Sequence, residues 1–204
     1  MGLHIKKTLR ASEQEREDIK IARQEWEKWA KTCDINRLVF IDESAAQTNM
    51  VPVYGRAMKG ERCCGFAKGS WQTTTMLSSV RLNGTTQCMV FAGAVNKTIF
   101  GLYMTKSLLP VLKDGDIVIM DNLSSHKNSF DKSAFAERNI TIKYLPPYSP
   151  DLNPIEKMWS KIKTILRNKS ATTTETLFEA IKYAFECITP KNTRGWFNMC
   201  GYSQ

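Results

Sequence analysis

The 204-residue chain has 42% hydrophobic and 24% charged residues, an ordinary balance for one well-buried domain with at most a small appendage. No apolar run approaches the roughly 20 residues that span a bilayer, and the start lacks the apolar core of a signal peptide, so a cytoplasmic protein with no membrane partner is expected. A formal net charge of +9 favours a polyanionic partner such as nucleic acid.

Residues 2–10 are basic and patternless. Ser12-x-x-Glu15 has the form of a capping box and predicts a charged helix to about residue 31, with Ile19, Ala22, Trp26 and Trp29 along one narrow seam. This helix reads either as an element packed on the body or as a connector cut at its upstream end. Residues 37–42 predict the first strand. Leu38-Val39-Phe40-Ile41 is apolar throughout, as in a strand buried on both faces, and the strand stops at Asp42 and Glu43. Two acids at that place are not needed for packing, although loop solubility alone accounts for them; Glu43 reads as solvent-facing. Residues 44–71 are irregular and interleave Gly55, Gly60, Gly65 and Gly69 with Arg56, Lys59, Arg62 and Lys68. Such a loop either follows a phosphate backbone, which makes Arg56 a candidate DNA contact, or is simply solvated.

Two strands, 73–82 and 85–94, are joined by Asn83-Gly84, the strongest short hairpin signal. A helix over 96–113 turns Phe100, Tyr103, Met104, Leu108 and Leu112 inward and ends at Asp114-Gly115. Residues 116–121 repeat the first strand's design, with Ile117-Val118-Ile119-Met120 running into Asp121-Asn122. If the two apolar strands lie parallel and adjacent, both aspartates project into one crevice, where open α/β sheets place their ligands. A short helix over 128–138 and a last strand over 140–145 follow. The six cysteines lack zinc-site spacing, and two histidines are too few for a histidine-rich metal site.

Four of the seven prolines fall between Pro146 and Pro154, so this segment is a stiff, extended lead-in to a helix. Asn153 is placed to cap that helix, with Pro154 at its first position and Glu156 at its third. Ile155, Met158, Trp159, Ile162, Ile165 and Leu166 form its apolar face, while Ser160, Lys163 and Arg167 line up with Glu156 on the other side. Between residues 155 and 170 five basic side chains stand against one acid. Glu156 has two readings. Asn153-x-x-Glu156 fits a capping box, which this segment alone favours; alternatively the strap aims a carboxylate at the strand-end aspartates. Helices near 174–187 and 190–200 close the chain.

Asp42, Asp121 and Glu156 together suit magnesium or manganese, which take hard oxygen ligands. Three carboxylates in one crevice repel one another unless cations compensate them. Two ions about 4 Å apart can activate the attacking oxygen and stabilise the leaving oxygen of a phosphodiester.

The runs Phe40-Ile41-Asp42-Glu43-Ser44, Met120-Asp121-Asn122-Leu123-Ser124-Ser125-His126-Lys127 and Leu145-Pro146-Pro147-Tyr148-Ser149-Pro150-Asp151-Leu152-Asn153-Pro154-Ile155-Glu156 resemble the catalytic domain of the mariner-related bacterial insertion-sequence transposases. Thirty-four residues separate Asp121 from Glu156, the spacing of that branch. Weaker matches are Tyr54-Gly55-Arg56 with Gly60, Trp71-x-Thr73-Thr74-Thr75, Leu108-Leu109-Pro110 and the closing Trp196-Phe197-x-x-Cys200-Gly201-Tyr202. The resemblance implies an RNase H-like fold, a mixed five-stranded sheet with helices on both faces. It also implies a DDE mechanism, in which Asp42, Asp121 and Glu156 hold two Mg2+ (or Mn2+) ions. Such enzymes hydrolyse DNA at element ends, and the freed 3′-hydroxyl attacks target DNA. The implied partners are double-stranded DNA, a second copy of the chain, and a separate helix-turn-helix transposase product, since family members carry such units upstream of this domain and this sequence has no room for them; the setting is the bacterial cytoplasm and nucleoid. Residues 1–35 then form a connector and 36–204 the catalytic domain. His126, Lys163 and Arg167 join Arg56 as candidate DNA contacts; His126 reads equally as a loop or core histidine. Trp26, Trp29, Trp159 and Trp196 read as core. The rival functions are a catalytically silent DNA-binding remnant and another metal-dependent α/β phosphotransfer domain.

Overall fold

The computed structural model describes residues 12–122 and 129–203. Five strands form one mixed sheet in the order β3-β2-β1-β4-β5, made of β1 (Leu38–Gln47), β2 (Thr73–Arg81), β3 (Thr86–Ala92), β4 (Ile117–Met120) and β5 (Thr141–Tyr144). β1 to β3 pair antiparallel, while β1, β4 and β5 run parallel. The helices are α1 (Glu17–Ala30), α2 (Lys97–Leu102), α3 (Ser133–Ala136), α4 (Pro154–Lys169), α5 (Thr174–Glu186) and α6 (Pro190–Met199). This is the RNase H-like arrangement expected from the sequence. No helix among the described residues is long and apolar enough to cross a membrane.

The continuous apolar run of β1 is explained by a core on each face. Leu38 and Phe40 pack with α4, α5 and α6, whereas Val39 and Ile41 pack with Phe100, Tyr103, Met104 and Leu108. All four strand residues are essentially solvent-free. On α4, Ile155, Met158, Trp159, Ile162 and Leu166 are buried at the helical period, each burial contributing about 1.5–3 kcal/mol. The opposite face is left open.

Four sequence expectations are corrected. The first strand does not stop at Asp42: β2 pairs it as far as Gln47, while its parallel ladder with β4 ends at Phe40. Ser12-x-x-Glu15 is a short 3-10 turn, and α1 starts at Glu17 after Arg16, with no side-chain cap. The 96–113 helix is α-helical only to Leu102. It widens to a π-helix over Tyr103–Leu108 and tightens over Leu109–Val111, where Pro110 lacks an N–H for the regular ladder. Among the described residues of the helix expected over 128–138, only Ser133–Ala136 are helical, and Asn139 follows with φ of 52°.

The hairpin forms at Asn83-Gly84 as expected. Arg81 accepts from the Gly84 N–H at 3.1 Å, and Gly84 follows at φ +89°, the left-handed position that favours glycine. Below it Arg81 forms an ion pair with Asp116, their side chains 10% and 3% exposed, which ties the base of β2 to the entry of β4.

Candidate active site

Asp42 lies on β1 two residues beyond the last rung shared with β4, and Asp121 directly follows β4. Both therefore stand where the parallel half of the sheet ends. Leu145 N–H extends the β4–β5 register by donating to the Met120 carbonyl at 2.8 Å, so the proline strap starts beside Asp121. Tyr148 turns the strap with φ of 56°. The strap is held from outside by α1: Arg23 makes a bidentate contact to Asp151 at 3.0 and 2.7 Å and also donates to Ser149 Oγ. Gln14 donates to the Tyr148 carbonyl. Below, Trp26 Nε1 donates to Tyr202 Oη, which donates to the Leu152 carbonyl, both at 2.8 Å.

Held in this way, the strap delivers Glu156 in the first turn of α4. Asn153 caps α4 through its backbone, without a side-chain hydrogen bond, so the capping box that competed for Glu156 is not formed. Asp42, Asp121 and Glu156 line a single cleft of about 470 Å³, walled by strap residues 145–150 and floored by Asn122 and Asn153. A larger cavity, about 640 Å³, lies beside the loop after β1, and no acidic side chain lines it.

The electrostatics are those of acids crowded into one buried cleft. Burial first, then the carboxylates of Glu156, Glu43 and Asp121, push Asp42 up to about 8. Desolvation also raises Glu156, Lys163 opposes that, and Asp121 adds to it. Each oxygen of Asp42 accepts an N–H: Oδ1 from the Glu43 amide at 2.8 Å and Oδ2 from Trp159 Nε1 at 3.2 Å. Asn153 Oδ1 is buried without a hydrogen-bond partner, one more hard oxygen beside the acids. These donors suit magnesium or manganese rather than a soft metal. Among the described residues, no three acidic, histidine or cysteine side chains are gathered closely enough to hold one ion as they stand.

Other sequence candidates fall as follows. Lys163 shares the Glu156 face and acts on its charge; Arg167 lies further along α4, partly exposed. Arg56 is exposed on the loop after β1, and it does not line the cleft. His126 lies outside the described residues. Glu43 is not solvent-facing: it stands inside β1 opposite Leu77, half-buried, because the strand continues where a loop was expected. Trp159 is buried, as read, but also reaches Asp42. The signal for that was available: a buried indole N–H seeks an acceptor, and Trp159 lies one turn after Glu156.

A family model described as DDE superfamily endonuclease matches residues 37–178. The Tc1 transposase of Caenorhabditis elegans is 28% identical over 92 residues, 45% of this chain and 34% of that protein. Among solved structures, the Mos1 strand transfer complex superposes with a TM-score of 0.76 at 15% identity, covering 97% of this chain and 63% of that one. The isolated catalytic domain of Mos1 mariner transposase gives 0.65 at 14% identity, covering 95% and 92%. The chain thus spans about a third of its curated relative and nearly all of an isolated catalytic domain.

Proposed function

Because the chain belongs to the DDE superfamily endonuclease family, we propose that it is the catalytic portion of a transposase, cutting and rejoining DNA strands with Asp42, Asp121 and Glu156. The observation that carries this reading is the shared cleft: three acids from β1, the end of β4 and α4 face one space, where burial and the neighbouring carboxylates raise the proton affinity of Asp42 and Glu156. Structures of Mos1 paired end complexes with Mg and with Mn support a divalent ion as cofactor. The three carboxylates would hold two such ions, which when bound activate an attacking oxygen and stabilise a leaving oxygen at a phosphodiester.

The chain's own residues bind and orient. Lys163 and Arg167, on the open face of α4, engage DNA phosphates, which position the duplex without reading its sequence. Water serves as the attacking group in the first cut, and the released 3′-hydroxyl in strand transfer. The strap, clasped by Arg23 and Tyr202, keeps Glu156 at the sheet end. Residues 1–35 act as a connector to a helix-turn-helix unit, in cis or as a separate product, and a second copy of the chain brings two DNA ends together.

The test is a supercoiled plasmid incubated with the 204-residue chain. Magnesium or manganese should support nicking, calcium poorly, because its longer and looser coordination does not hold an in-line displacement. Asp42→Asn should abolish nicking while sparing DNA binding. Nicking that survives chelator, or that the variant performs as well as the unmodified chain, would refute the reading.

A further inference from the structure

Trp159 is 2% exposed, and its ring stands edge-on to Phe185 of α5, centroids 6.2 Å apart at 90°. Such a ring has no freedom to choose its partner. Its Nε1 donates to Asp42 Oδ2 at 3.2 Å across 117 positions of sequence, and the Glu43 amide takes Oδ1 at 2.8 Å. With one donor on each oxygen, the carboxylate plane of Asp42 is fixed, and its remaining lone pairs stay open to the cleft. Trp159 also follows Glu156 by three positions on α4, a spacing that puts both side chains on neighbouring parts of one helix surface.

We infer that Trp159 is a positioning residue for the cation site, its indole N–H setting the orientation of Asp42 so that α4 places both acids at once. This rests on the metal-binding reading above. Phe185 contributes at one remove, by fixing the ring. Groups that orient a ligand in this way typically change metal affinity by about 10–100-fold when removed.

The experiment is calorimetric titration of MnCl2 into the DNA-free chain, with thermal melting in chelator as a control on folding. Trp159→Phe keeps an aromatic side chain, smaller than the indole, and removes the N–H. It should bind manganese about 10–100-fold more weakly, while its metal-free melting temperature, lowered by the smaller core side chain, still shows one cooperative transition well above the titration temperature. Trp159→His, which restores an N–H donor on a smaller ring, should recover part of the affinity. Binding by Trp159→Phe within about twofold of the unmodified chain, together with loss in Asp42→Asn, would overturn the inference and leave the metal site standing. Equal binding by Asp42→Asn would overturn both. A second measurement needs no variant: the Trp159 indole N–H resonance should move as MgCl2 is added, with the midpoint of metal binding. A stationary resonance through saturation would refute the role.

Discussion

Replacing Asp42 by asparagine should change how the stability of the metal-free chain depends on pH. Burial, then Glu156, Glu43 and Asp121, lift Asp42 from 3.8 to about 8. Between those values the folded chain keeps a proton that the unfolded chain has released. Stability therefore falls as pH rises through that window, by up to about 1.4 kcal/mol per pH unit, and levels off above the folded-state value. The asparagine side chain does not titrate, so the variant lacks this slope. It carries a constant penalty instead. Asp42 accepts from two N–H groups, at 2.8 and 3.2 Å, and a carboxamide has one oxygen to offer them; the lost hydrogen bond costs about 1 kcal/mol. The variant should thus be the less stable chain near the acid end of the window and the more stable one near its upper end. Urea unfolding in chelator from about pH 5 to about pH 8.5 measures both curves. Saturating magnesium should flatten the unmodified chain's curve. A difference between the two chains that stays constant across the window would refute the placement of Asp42 as a buried acid beside other carboxylates.

Arg81→Met leaves Asp116 buried without its ion partner and should cost about 3–5 kcal/mol in urea unfolding; a loss below about 1 kcal/mol would mean that the pair does not hold the base of β2. Lys163→Ala with Arg167→Ala should weaken binding alike on all DNA sequences and flatten the log–log salt dependence by about two. An unchanged slope in filter binding would mark the row as a solvated face. Arg23→Ala releases the bidentate clasp on Asp151 and should cost about 1 kcal/mol or less. It should also speed hydrogen exchange at the Asp151 and Leu152 amides, and unaltered exchange there would contradict the clasp.

The strands were legible because their signal is local, whereas the three acids were legible only together, since the segment around Glu156 alone favours a capping box. Leu38 to Ile41 and Ile117 to Met120 read as strands buried on both faces, and the strap's prolines with Asn153 and Pro154 set where α4 begins. What the sequence hid depends on partners far along the chain. β1 continues past Asp42 only because β2 pairs it, which also moves Glu43 from a loop into the sheet. The helix after residue 96 was legible in its inward face, all five expected residues being buried, but not in its change of pitch before Pro110. Arg23 and Asp151 lie 128 positions apart, and nothing in their neighbourhoods announces the clasp. Trp159 was read correctly as core and incompletely as that alone, because periodicity reports the buried face of a helix and not the polar edge of a ring on it.

The most direct test of the central claim is a crystal of the chain soaked in MnCl2, with anomalous scattering used to locate manganese. Anomalous density is expected in the cleft within direct coordination distance of Asp42, Asp121 and Glu156, with the three carboxylates drawn closer than in the metal-free fold. Manganese bound elsewhere while this cleft stays empty at saturating concentration, or Glu156 turned away from both aspartates, would contradict it.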